Sequence, residues 1–192
     1  MTNDDIQKQI DDSRRKSLRE NWNAPKLHVE LIGKTKPDPK WDARLADLKS
    51  KLFTGFLIAI VGGTGTGKTM LAVELMQAVT EKLRSAYYMT AMNFFLRMKS
   101  TFGDGEETQL SIMEKLQSKR FLVIEEISRR GQTDWENNLM FELLNGRYNA
   151  KRETLLIDNA TKAEFLEKID PAIAGRMKET GGIIEADWGS FR

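Results

Sequence analysis

Residues Gly62, Gly63, Thr64, Gly65, Thr66, Gly67, Lys68 and Thr69 read GGTGTGKT, a full match to the spacing G-x-x-x-x-G-K-[ST]. Glycines at these intervals let a backbone turn through dihedrals where a Cβ would clash, so that successive N–H groups converge on one anion. The lysine can then reach the outer phosphates of a nucleotide, and the threonine hydroxyl can ligate Mg²⁺. Met70 opens the apolar, helically spaced run MLAVELMQAVTEKL, which places a helix N-terminus and its partial positive charge against the same anion. The chemistry predicted is the binding of a nucleoside triphosphate, ATP with Mg²⁺.

A second constellation fits the first. Phe121 to Ser128 read FLVIEEIS, four apolar residues followed by two carboxylates. In a chain that carries a phosphate loop, a buried strand ending in paired acids is the element expected to hold the metal and activate water. Glu125 is expected near Mg²⁺, and Glu126 is expected to polarise the attacking water. Glu125 stands where Asp is usual, and its extra methylene shifts the carboxylate by roughly 1 Å, a displacement that can slow turnover. A third strand, in TLLIDNAT, ends at Asn159, whose amide either orients the lytic water and senses the γ-phosphate or caps the next helix.

These residues need a scaffold, and the sequence supplies one. From Leu52 onward strand and helix signals alternate. Strands are expected at Phe56 to Val61, Ser85 to Met89, Phe121 to Ile124, Leu155 to Asp158 and Ile183 to Ala186. Helices are expected near 67–83, 91–101, 107–118, 134–149, 162–168 and 171–178. Such alternation predicts an α/β fold, a five-stranded, mostly parallel sheet with helices on both faces and ligands at the carboxyl ends of the strands. Residues 1–50 differ in character: Asp4 to Glu20 is charged with a thin apolar stripe through Ile6 and Ile10, and Pro25, Gly33, Pro37 and Pro39 punctuate a linker-like stretch. Trp41, Leu45 and Leu48 suggest a short helix that docks on the main domain. The division expected is an N-terminal helical arm and linker over 1–50, either solvated or a partner-binding helix, and an ATPase domain over 51–192.

Composition narrows the classes. The chain has 192 residues, no cysteine and one histidine, His28, so thiolate and His-cluster metal sites are excluded. It lacks a run of about 20 apolar residues, and its N-terminus MTNDDIQKQIDDSRRKSLRE is too charged for a signal peptide, which predicts a cytoplasmic protein without a membrane partner. A formal charge of +2 leaves nucleic-acid binding to local patches.

Together these stretches resemble the DnaC/DnaI-type replicative helicase loaders and the related IstB-type ATPases of the AAA+ superfamily, over about residues 52–192. GGTGTGKT is similar to that family's Walker A, FLVIEE to its Walker B and IDNAT to its sensor 1 segment. NGRYNAKRETLLIDN resembles the Arg-containing helix that leads into the sensor strand, and AIAGRMKETGGIIEADWGSFR the closing arginine motif and aromatic tail. The resemblance implies an AAA+ P-loop NTPase fold in which Arg176 is an arginine finger for a neighbouring subunit, hence a homo-oligomer, and Arg192 a sensor 2 arginine. TAMNFFLRMKSTF resembles the helix such loaders use against single-stranded DNA. Arg97, Lys99, Phe102 and Trp135 are its candidate contacts, since aromatic faces stack bases and neighbouring cations track phosphates. Phe94, Phe95, Leu96 and Met98 fit core or interface positions, and Arg129 and Arg130 are placed to meet phosphate or a neighbouring subunit. The short region before the domain and the small or absent C-terminal lid fit a compact, phage-type loader.

The function implied is an ATP-dependent replication protein, an ATPase that loads or remodels a DnaB-type replicative helicase on single-stranded DNA. Two other readings remain open: an IstB-type transposition helper that prefers duplex DNA, and a nucleotide-gated binding module with negligible turnover.

Overall fold

The computed structural model describes residues 2–34, 38–103 and 107–189. Five strands, β1 (Leu57–Val61), β2 (Ala86–Thr90), β3 (Phe121–Glu125), β4 (Glu153–Ile157) and β5 (Ile183–Glu185), form one sheet in the order β2-β3-β4-β1-β5. Every pairing is parallel. The helices are α1 (Asn3–Glu20), α2 (Lys26–Glu30), α3 (Pro39–Ser50), α4 (Lys68–Glu81), α5 (Ala91–Ser100), α6 (Gln109–Ser118), α7 (Asp134–Asn149), α8 (Lys162–Lys168) and α9 (Pro171–Thr180). Among the described residues no helix follows β5.

Side chains alternate across the strands, so each strand feeds two cores. On one face Ile58 and Ile60 of β1 pack with α4, with Trp41, Leu45 and Leu48 of α3, and with Trp22 and Trp188. On the other, Leu57, Ala59 and Val61 pack with apolar residues of α5 to α9. The register aligns the carboxyl ends: Ile157 of β4 lies opposite Ile60 on one side and Glu125 on the other. This alignment brings the segments following β1, β3 and β4 to one rim of the sheet.

The first fifty residues do not form a detached arm throughout. Trp22 and Trp41 are each 1% exposed and share a core with β1. Burying an indole contributes on the order of 5 kcal/mol before entropic costs. Helix α1 has no buried residue. What holds it near α4 are the partly exposed pairs of Arg15 and Arg19 with Glu81, a kind of contact worth about 0–1 kcal/mol each. The anchor is therefore Trp22, and Ile6 and Ile10 at the far end of α1 are exposed.

Arg147, in the NGRYNAKRETLLIDN stretch, is fully buried and acts as a clamp. Its guanidinium donates to the carbonyls of Leu116 (2.7 Å), Lys119 (2.8 Å) and Glu153 (2.5 Å) and to Thr154 Oγ1 (2.9 Å), joining the end of α6 to β4. Burial pushes its pKa below the usual guanidinium value, and the ring of carbonyl acceptors offsets the desolvation.

Candidate nucleotide site

The loop between β1 and α4 takes its shape from three glycines with positive φ, Gly62, Gly65 and Gly67. Gly62 has φ 128° and a Cβ there would meet Ala186 Cβ at 3.3 Å. Gly67 has φ 78° and is the N-cap of α4. Lys68 and Thr69 follow in the first turn. The Lys68 side chain folds back and its ammonium donates to the carbonyls of Gly62 and Gly63, both at 2.7 Å. Burial pushes the Lys68 pKa down, against the upward pull of Glu125 and Asp158. These carbonyl contacts are ones that a phosphate oxygen can replace.

Glu125 ends β3 beside the loop, and the Thr69 hydroxyl donates to its Oε1 at 2.5 Å. A hydroxyl and a carboxylate at the mouth of a phosphate loop are hard oxygen donors suited to Mg²⁺, which is held by one or two protein oxygens together with nucleotide phosphates. Among the described residues no cluster of three or more His, Cys, Asp or Glu could hold a metal by itself, so the donor set fits a shared site. The Tyr88 hydroxyl donates to the other Glu125 oxygen, and burial, reinforced by Glu125, pushes the phenol pKa far up. Tyr88 therefore remains a neutral donor.

Glu126 adopts a left-handed backbone, φ 59°, a conformation that costs a non-glycine residue of order 1 kcal/mol and recurs at functional sites. It turns Glu126 away from the line of β3, where its carboxylate pairs with Arg129 at 2.8 Å. Glu126 and Asn159 line a common hollow of about 230 Å³. Asn159 is exposed, and the helix cap it competed with is supplied by Thr161, which accepts from Glu164 N–H at 3.3 Å.

The cleft over the loop is about 500 Å³. Thr64, Gly65, Thr66, Gly67, Lys68, Thr69, Met70, Glu125 and Asn159 line it from the sheet side. The opposite wall is Leu27, His28, Leu31 and Lys34, from α2 and the turn after it. Sequence reasoning assigned that segment to a linker and missed this wall; an apolar pair four residues apart beside a histidine was its only signal. Reasoning from sequence also missed three supports. Trp41 Nε1 donates to Gly67 C=O at 3.3 Å, and Trp188 Nε1 donates to Thr66 C=O, so two indoles brace the loop from behind. Asp158, 2% exposed, accepts from Ser128 N–H (2.6 Å), Ser128 Oγ (2.7 Å) and Ala160 N–H (2.9 Å), tying the segment after β3 to the segment after β4.

Other predicted residues lie elsewhere. Arg176, on α9, is not among the residues lining the cleft of its own chain. Its guanidinium rests 5.5 Å from the Phe141 ring centre and 5.3 Å from that of Tyr148. Arg130, considered from sequence as a phosphate or subunit contact, is turned inward: it is 8% exposed and donates to Lys168 C=O at 2.8 Å. Arg192 lies outside the described residues.

Three of the four candidate DNA contacts come together. Phe102, 70% exposed, meets Trp135 with ring centres 5.9 Å apart, and Lys99 Nζ sits 5.8 Å from the Trp135 ring centre. Phe95 backs Trp135 from the core, at 6.1 Å. Arg97 is engaged instead by Glu107, Nε to Oε2 2.9 Å. Phe94, Phe95 and Met98 are buried, whereas Leu96 is exposed. No helix among the described residues is long and apolar enough to cross a membrane.

A family profile described as "IstB-like ATP binding protein" matches residues 36–177. The replicative helicase loader DnaC of Escherichia coli K12 is 24% identical over 132 residues, covering 68% of this chain and 54% of DnaC. The chain thus spans about half the length of the curated relatives it matches. A crystal structure of the DnaC helicase loader superposes with a TM-score of 0.71 at 18% identity, covering 84% of this chain and 99% of the other. A crystal structure of DnaI superposes with a TM-score of 0.71 at 12% identity, covering 86% and 95%. With its all-parallel five-stranded AAA+ sheet and phosphate-loop cleft, the chain belongs to the IstB-like ATP-binding family and is distantly similar to the DnaC and DnaI helicase loaders.

Proposed function

We propose that the chain is an ATPase switch that loads or remodels a DnaB-type replicative helicase on single-stranded DNA. The observation that carries the ATPase reading is the convergence of Lys68, Thr69, Glu125 and Asn159 on one cleft, with Glu126 and Asn159 around an adjoining hollow. Lys68 and the loop N–H groups bind the triphosphate; Thr69 and Glu125 hold Mg²⁺, which when bound neutralises phosphate charge. Glu126 orients and polarises the attacking water, and Asn159 contacts it or the γ-phosphate. The α2 wall covers the base.

Arg176 has no role in the cleft of its own chain, so it serves a neighbour in a homo-oligomer, where a guanidinium stabilises the developing charge. The Phe102, Trp135 and Lys99 cluster supports single-strand binding by stacking, and the exposed Ile6 and Ile10 on α1 support helicase capture by the arm. Nucleotide can drive release only through unequal affinity of its states for DNA or partner. The test is ATP hydrolysis by the purified chain with single-stranded or duplex DNA, together with capture of a replicative helicase with and without residues 1–20. Stimulation by single strands and loss of capture on truncation are expected. Stimulation by duplex alone selects a transposition helper; turnover too slow to detect selects a nucleotide-gated binding module.

A further inference from the structure

Glu125 has one more rotatable bond than an aspartate, and a metal ligand displaced by about 1 Å loses much of its effect. The fold removes that freedom from both sides. Thr69 engages Oε1 at 2.5 Å, and the Tyr88 hydroxyl engages Oε2. Tyr88 pairs with Val123, whose side chain shares a sheet face with Glu125 two residues on. That register sets the phenol beside the carboxylate, and at 6% exposure the ring has little room to leave.

The Tyr88 backbone is itself held. Strand β2 is an edge of the sheet, and an edge leaves backbone groups unpaired. Here Tyr88 N–H donates to Trp22 C=O at 2.7 Å, and Tyr88 C=O accepts from Asn23 Nδ2 at 3.0 Å. Trp22 is fixed in turn by its indole N–H, which donates to Thr80 Oγ1 at 3.0 Å. A continuous set of hydrogen bonds thus runs from the foot of the arm through Tyr88 to Glu125 and Thr69.

We propose that Tyr88 is a positioning residue for Glu125, and that Trp22 and Asn23, by clipping its backbone, make metal binding depend on the docked arm. The inference rests on the nucleotide-site reading above. A partner that draws the arm from β2 loosens Glu125 and weakens metal retention while the phosphate loop stays intact. By linkage, Mg²⁺ in turn strengthens the dock.

The test is a Mg²⁺ titration of fluorescent ATP-analogue binding to the full chain, with a parallel measurement in EDTA. Tyr88→Phe keeps the ring and removes one hydrogen bond; the Mg²⁺ needed for half-saturation is expected to rise about fivefold, with metal-free nucleotide affinity unchanged. Asn23→Gly tolerates the positive φ of 58° and removes the amide; it is expected to raise the requirement roughly twofold, with no further rise when combined with Tyr88→Phe. In a Glu125→Asp background the carboxylate is withdrawn from the phenol, so Tyr88→Phe should add nothing. An unchanged Mg²⁺ requirement, an equal loss in EDTA, or a full Tyr88→Phe effect on Glu125→Asp overturns the proposal. Absence of nucleotide binding by the wild-type chain would instead defeat the nucleotide-site reading, and this inference with it.

Discussion

The phosphate cleft and the Phe102, Trp135 cluster are both candidate binding sites, and they are built in opposite ways. In and beside the cleft the polar groups are held from several directions. Lys68 is 4% exposed and Asp158, beside the adjoining hollow, 2%, Thr69 holds Glu125, and the loop backbone is braced by Trp41 and Trp188. In the aromatic cluster Phe102 is 70% exposed, and Trp135, packed against the core and in contact with Phe95, ties the pair to it. Phosphoryl chemistry depends on position to a fraction of an ångström, whereas stacking accepts any base with a π-face. Rigidity marks the first site and adaptability the second.

That comparison is open to direct attack. The largest effect expected is from Arg176→Ala, which on the proposed reading removes a charge supplied to a neighbour: ATP turnover should fall about 1,000-fold or more while ATP affinity is preserved. Turnover and equilibrium binding measured side by side check it, and equal loss of both would place Arg176 in the binding site of its own chain. Lys68→Ala should weaken ATP binding by about 100-fold or more, without moving single-strand affinity measured by anisotropy in the absence of nucleotide.

Next comes the aromatic cluster. Trp135→Ala should weaken single-strand binding by about 10-fold to 100-fold, at 1–3 kcal/mol per stacked base, and Phe102→Ala by the lower end of that range; ATP affinity should be unchanged in both. If either variant lowered ATP affinity as much as single-strand affinity, the two sites would not be separable. Asp158→Ala leaves the two Ser128 donors and Ala160 N–H without their acceptor, a loss of about 2–3 kcal/mol. A fall in Tm of roughly 4–12 °C is expected by calorimetry. The smallest effect is from Trp188→Phe, where loss of one brace should lower ATP affinity by about fivefold.

Much of the fold was legible because it follows from local pattern. Each of the five expected strands and six helices beyond Leu52 is present, with ends differing by no more than two residues. Hydrophobic runs bounded by turn signals specify such elements without help from distant residues. The phosphate loop was legible for the same reason: its glycines, Lys68 and Thr69 are contiguous. Tyr88 and Asp158 were not, because a tyrosine fits many strands and an aspartate just after a strand fits many turns, and only the register of β2 on β3 and the approach of Ser128 to the end of β4 show what each one meets. The α2 wall was hidden by its surroundings, since prolines and glycine around a five-residue helix resemble a linker.

The sequence by itself determined the chemistry that contiguous residues can carry: a triphosphate loop, an acid pair after a buried strand, a polar residue after the next. Tertiary structure decided which separated residues support them. Trp41 and Trp188 approach the loop from opposite ends of the chain, and Tyr88 reaches Glu125 across a strand boundary. The physical reason is range: helix, strand and turn preferences act over a few residues, whereas hydrogen bonds between strands and indoles behind a loop exist only once the sheet has fixed its order.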